Sequence, residues 1–190
     1  YKALQGFDRE SAKQLLREAG FPEGRGFPTQ ELWVRESALS IRMVAQAIQE
    51  MWRSVLGIDI RIRQQEEKTF MDNMYQHLIP LGLLPFTSDY PDPHSMLGSL
   101  WRSGPSGAVR HPWKNDRFDD LVDQAARELN PDTRMALYEE AQQILSEEVG
   151  GIFIYNEVTL ALRKPRLRGI RTSQSGYPIL PALTELYIGN

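Results

Sequence analysis

The sequence predicts an α/β fold: a largely parallel sheet with helices on both faces. Three observations carry that prediction. Between residues 31 and 84, short apolar stretches alternate with helix-length ones in the order strand, helix, strand, helix, strand. Strands separated by helices pair in parallel through crossovers. Ile58, Ile60 and Ile62 alternate with Asp59, Arg61 and Arg63, the period-two pattern of a strand with one solvated side. Residues 37–56 place Val44, Ile48, Met51, Trp52 and Val55 on one helical face, as a helix packed on a sheet requires.

The elements follow in order. Asp8 is the predicted N-cap of a helix that ends at Gly20, with Ala12, Leu15, Leu16 and Ala19 as its apolar stripe. Residues 21–28 form a Gly/Pro-rich loop, and Glu31 to Arg35 (ELWVR) a short strand. The strongest helical pattern spans Ser37 to Leu56 and is closed by Gly57; a strand through Ile62 and a helix from Lys68 to Gln76 come next. The apolar run Leu78 to Leu84 reads as a buried strand, although Pro80 predicts a late or irregular start. Ser95 to Leu100 is a weak helical patch, and Trp101 to Asp116 a long loop. Phe118, Leu121, Val122, Ala125 and Leu129 define another helix. Asn130 as N-cap and Pro131 in the first turn start the next, which runs to Val149. Ile152 to Tyr155 and Val158 to Leu162 are candidate strands, Lys164-Pro165 marks a break, and Leu186 to Ile188 is a short apolar segment in the tail.

Composition narrows the function. The 190 residues suffice for one core, or for a domain with an appendage. A net charge of -3 argues against a nucleic-acid partner, which needs a basic face. No apolar run reaches the roughly 20 residues of a membrane span. Without cysteine there is neither a disulfide nor a cysteine-based site. Nothing in the sequence calls for a cofactor.

The stretch Phe86-Thr87-Ser88-Asp89-Tyr90-Pro91-Asp92-Pro93 is the candidate site. It follows a predicted strand, and open α/β sheets bind ligands beyond the carboxyl ends of their strands. Pro91 and Pro93 stiffen the loop, so Asp89 is a carboxylate on rigid backbone, suited to anchoring a cation. The competing reading is that Asp89 or Asp92 caps the turn that follows. Arg35 ends its strand on the same sheet edge, where it serves either a ligand or a salt bridge with Glu36. His77, His94 and His111 lack metal-ligand spacing, with His77 expected at the surface of a helix end. A zinc site from His94, His111 and a nearby aspartate, in a metal-dependent hydrolase, is the rival enzyme reading.

SDYPDP after an apolar strand resembles a motif of the family 5 extracytoplasmic solute-binding proteins, the peptide-, dipeptide- and nickel-type receptors of ABC importers. Phe7-Asp8 with AKQLLREAGFPEG, then VAQAIQEMWRSVLGIDIRI, and then WKNDRFDDLVDQA from Trp113 to Ala125, resemble the family in the same order. The resemblance runs from about residue 7 to the C-terminus. It implies a type II periplasmic-binding-protein lobe without enzymatic activity, in the periplasm or tethered outside the membrane, with permease subunits as partners. The chain would be the C-terminal part of a longer receptor, which fits the lack of a signal segment at its start. Residues 1–163 would be the second lobe, and 164–190 a tail returning to the first, with the isolated chain a monomer or weak dimer. Asp89 matches the aspartate that holds a peptide's ammonium group, and Arg35 the arginine that holds the carboxylate of a dipeptide. Phe86 and Tyr90 complete the implied ligand-binding set. The family usually has tryptophan where this chain has Phe86. The implied ligand is an oligopeptide, a dipeptide or another small zwitterion, with an opine, a sugar or a metal chelate open.

Overall fold

The computed structural model describes residues 6–36, 39–104, 111–156, 158, 160, 162, 164–171 and 185–189. Helix α1 spans Arg9–Glu18, and the Asp8 carboxylate accepts from the Glu10 and Ser11 amides, as its N-cap position requires. Only Leu16 of the predicted stripe is buried; Leu15 is exposed. The chain then turns through Gly24, whose backbone lies against Gly57 so closely that a Cβ on either would meet the other segment's carbonyl. Both glycines have positive φ, at 73° and 69°, so conformation and space each demand glycine here.

Strand β1 (Gln30–Arg35) pairs in parallel with β2 (Ile60–Gln65), Leu32 opposite Ile62 and Arg35 opposite Gln65. Between them lies α2 (Leu39–Leu56), the predicted helix without its first two residues, which fall outside the described ones. On the other edge of β1, the Trp33 amide donates to Leu81 O at 2.9 Å, and the Leu83 amide to Trp33 O at 3.0 Å. That makes one parallel bridge, Trp33 with Gly82, rather than the strand predicted for Leu78 to Leu84. Pro80 and Pro85 bracket this stretch, and neither has an N–H to extend the ladder.

β1 is thus central, and Leu32, Trp33 and Val34 are all buried, the continuous apolar run of a strand covered on both faces. Ile41 and Ala45 of α2 cover the side of Leu32, Val34 and Ile60, with Ile48 and Trp52 packed against them. Helix α3 (Glu67–Tyr75) covers the other side, placing Phe70 and Met74 against Trp33. The core face of α2 is therefore turned from the predicted stripe: it begins at Ile41 and Ala45, and Met51 is exposed.

After the bridge come a loop, a single turn α4 (Pro93–Met96) and a π-helical turn, Leu97–Trp101, where the weak helical patch was expected. Residues 105–110 of the predicted long loop lie outside the described ones. Helices α5 (Asp116–Arg127) and α6 (Pro131–Glu147) form a hairpin around Phe118, Leu121, Val122, Tyr138, Ala141 and Leu145. Asn130 caps α6 by accepting from the Asp132 and Thr133 amides. Leu129, predicted on the buried face, sits past the end of α5 and is exposed.

Ile152 to Tyr155 is exposed and belongs to no strand, contrary to prediction. Apolar alternation describes a residue's preference, whereas a strand needs a partner edge, and no described segment pairs here. The candidate at Val158 to Leu162 falls partly outside the described residues, and those described have no regular structure. In the tail, β3 (Leu167–Arg168) pairs antiparallel with β4 (Tyr187–Ile188). Gly169, at φ 81°, follows β3 at a place where a Cβ would collide with Glu185 O.

Candidate functional site

The Asp89 loop leaves the sheet at the end where β1 finishes, because the segment through Gly82 runs parallel to β1. Arg35 and the loop therefore share one sheet edge, as parallel order predicts. The Asp89 amide donates to Ser95 Oγ at 2.9 Å, and Ser95 is fully buried. Within the same loop the Ser95 amide donates to Asp92 O at 3.0 Å, and the Asp92 amide to Tyr90 O at 2.8 Å. Asp89 itself is exposed, and its carboxylate stands outside the hydrogen bonds formed among the described residues.

Asp92 is used differently. Its Oδ1 accepts from the His94 amide at 2.9 Å, capping α4. Both oxygens also take the fork of Arg134, Nη1 to Oδ2 at 2.8 Å and Nη2 to Oδ1 at 2.7 Å. Arg134 also donates to Ala125 O and to Tyr138 Oη, and His94 Nδ1 lies 3.1 Å from that hydroxyl. The guanidinium holds the Asp92 carboxyl below the usual carboxylate range, with the His94 amide adding to the effect. Arg134 is correspondingly raised, chiefly by Asp92, and burial pushes the Tyr138 hydroxyl up. Capping therefore falls to Asp92, and among the described residues Asp89 caps no helix.

Arg35 does not pair with Glu36. Its Nη1 donates to Glu67 Oε1 at 2.6 Å, with the arginine side chain 20% exposed. Phe86 is half-buried and Tyr90 exposed. His77 is exposed at the end of α3 with φ 55°. His111 stacks on Trp101 at 4.5 Å, and its Nε2 donates to Leu100 O at 2.9 Å. Burial lowers its pKa, the Leu100 bond working against that shift. His94 and His111 thus have different partners, and no group of three or more His, Asp or Glu among the described residues is placed to hold a metal ion. The hydrolase reading has no support in this geometry.

Sequence reasoning missed Ser95, Arg134 and Tyr138. Ser95 resembles any polar residue of a first helical turn. Arg134 is 42 positions from the aspartate it grips, and nothing local to either residue announces the pair.

The sequence profile "Bacterial extracellular solute-binding proteins, family 5 Middle" matches residues 1–108. Periplasmic oligopeptide-binding protein OppA of Salmonella typhimurium is 29% identical over the whole chain, which spans 33% of that protein. Heme-binding protein A of Haemophilus influenzae is 30% identical over 90% of the chain, spanning 31% of its own length. The solved structure of the Escherichia coli murein tripeptide binding protein MppA superposes with a TM-score of 0.74 at 29% identity, over 85% of this chain and 31% of that one. The chain thus spans about a third of the length of the relatives it matches, and its fold is that of the type II periplasmic binding proteins. From the profile matched over residues 1–108, the chain belongs to the bacterial extracellular solute-binding proteins of family 5.

Proposed function

We propose that the chain is the second lobe, over residues 1–163, of a periplasmic receptor that captures oligopeptides or dipeptides and delivers them to the permease subunits of an ABC importer. Residues 164–190 would return to the first lobe. The carrying observation is the Asp89 carboxylate, exposed beyond the carboxyl end of a parallel sheet on a loop held by Ser95 and two prolines, the place where open α/β sheets bind ligands. It suits the ammonium group of a peptide, through a charge-assisted bond. Arg35 on the same edge suits the terminal carboxylate of a short peptide, with Phe86 and Tyr90 of the loop itself for apolar contact. The names of the Salmonella and E. coli relatives, which specify oligopeptide and murein tripeptide, support a peptide ligand. A chain with this function performs no chemistry on its ligand.

The test is calorimetric titration of the full-length receptor with trialanine and N-acetyl-trialanine, for wild type and Asp89→Asn. Losing the charge leaves a desolvated ammonium unpaired and weakens trialanine by about 2–5 kcal/mol, with the acetylated form little affected. A wild type that binds both forms equally, together with unchanged affinity in the variant, would falsify the assignment. Dialanine in the same series separates a dipeptide receptor from an oligopeptide one.

A further inference from the structure

We infer that Arg134, acting through Asp92, is a positioning residue that sets the Asp89 carboxylate for ligand. The inference rests on the reading of Asp89 as the ammonium anchor and adds residues that touch no ligand.

The loop from Asp89 to Ser95 is closed by three hydrogen bonds: Asp89 N–H to Ser95 Oγ, Asp92 N–H to Tyr90 O, and Ser95 N–H to Asp92 O. Such a ring is stiff within itself, and its Ser95 end is seated by burial. Asp92 adds a second hold, at the turn between Asp89 and Ser95. Its side chain leaves the ring and is held from two directions by the Arg134 fork, which fixes the carboxylate plane as well as its position. Arg134 is in turn fixed by Ala125 O at 3.2 Å and Tyr138 Oη at 3.2 Å, and Tyr138 is fully buried in the hairpin core. His94 Nδ1 meets the same hydroxyl. The Asp89 loop is thereby registered on the α5–α6 hairpin rather than on the sheet alone. The two aspartates of SDYPDP divide the work, the second holding the loop and the first facing outward.

A surface-stabilising pair would account for the Arg134–Asp92 contact as such. The positioning role makes a distinct demand: breaking the pair must disturb Asp89 before it disturbs the fold, and must harm ligands with a free amine selectively. The test uses full-length receptor carrying Arg134→Met, Arg134→Lys or Asp92→Asn, with Asp89→Asn as reference. Amide hydrogen exchange of Asp89 by NMR is read without ligand, and trialanine and N-acetyl-trialanine are titrated. Breaking the fork should speed Asp89 exchange, and weaken trialanine about tenfold, within the range that loss of positioning produces, while the acetylated peptide changes less than about twofold. Arg134→Lys keeps the charge without the fork and should fall between wild type and Arg134→Met; it also serves if Arg134→Met fails to fold. Unchanged Asp89 exchange and unchanged preference for the free amine in the Arg134 and Asp92 variants, with that preference lost in Asp89→Asn, would overturn the positioning role and leave the anchor intact. A wild type indifferent to acetylation overturns both.

Discussion

Leu121 and Leu129 share one helical face by sequence periodicity, yet Leu121 is 0% exposed and Leu129 is 94% exposed. Replacing each by alanine removes the same atoms from opposite environments. Leu121 is enclosed by Phe118, Val122, Tyr138 and Leu145 of the hairpin core, so its loss leaves a cavity as well as forfeiting transfer energy. The expected destabilisation is about 2–5 kcal/mol. For a chain of this size that lowers Tm by about 4–20 °C. Leu129 lies beyond Arg127, the last residue of α5, so neither packing nor helix propensity is at stake, and Leu129→Ala should change stability by less than about 0.5 kcal/mol. Urea unfolding followed by far-UV circular dichroism measures both, and a lower midpoint with unchanged m-value identifies a true loss of stability. Equal losses for the two substitutions would refute the reasoning, because they would show Leu129 covered in solution.

Further outcomes follow from the geometry. Gly57→Ala places a Cβ 2.3 Å from Glu23 O at φ 69°; the left-handed backbone alone costs about 1–2 kcal/mol, and the backbone collision adds to it, so a thermal melt within 2 °C of wild type would contradict the contact (about 0.5–1 kcal/mol at this size). Asp92 has a folded-state pKa below its unfolded value, so its contribution is present above the unfolded value of about 3.9 and is lost as pH falls below it towards the lowered folded value. Asp92→Asn should flatten that acid limb of stability against pH, and an identical limb in the variant would show the pair to be ineffective. Arg35→Ala in the full-length receptor should weaken a free-acid dipeptide by about 2–5 kcal/mol and its amide far less. Equal losses for the two peptides would make the Arg35–Glu67 pair purely structural.

Much of the fold was legible because its signals are local. The Asp8 and Asn130 caps, the Pro131 start and the Ile58–Ile62 alternation involve residues within a turn of one another; both helices formed at their caps, and the strand formed shifted along the chain, over Ile60–Gln65. Parallel order followed from alternation of strand and helix. The errors cluster where a pattern needed a distant partner. Ile152 to Tyr155 has strand chemistry without a pairing edge among the described residues, and Leu15 and Met51 belong to apolar stripes wider than the described surface that covers them. The brief ribbon of β3 and β4 depends on Gly169, whose carbonyl neighbour is sixteen positions away.

The candidate site divides in the same way. The sequence by itself determined that Asp89 stands in a proline-stiffened loop after an apolar segment, and that Arg35 ends a strand on the same edge. Those statements need only chain order and the fixed φ of proline. Tertiary structure decided which aspartate is the fastener: two carboxylates three residues apart are chemically alike, and Asp92, which also caps α4 locally, is the one that meets Arg134, 42 residues on. It also set Glu67, rather than the adjacent Glu36, against Arg35. Neighbours in a strand point to opposite faces, whereas the start of α3 is brought beside the end of β1 by the parallel register, with Arg35 opposite Gln65.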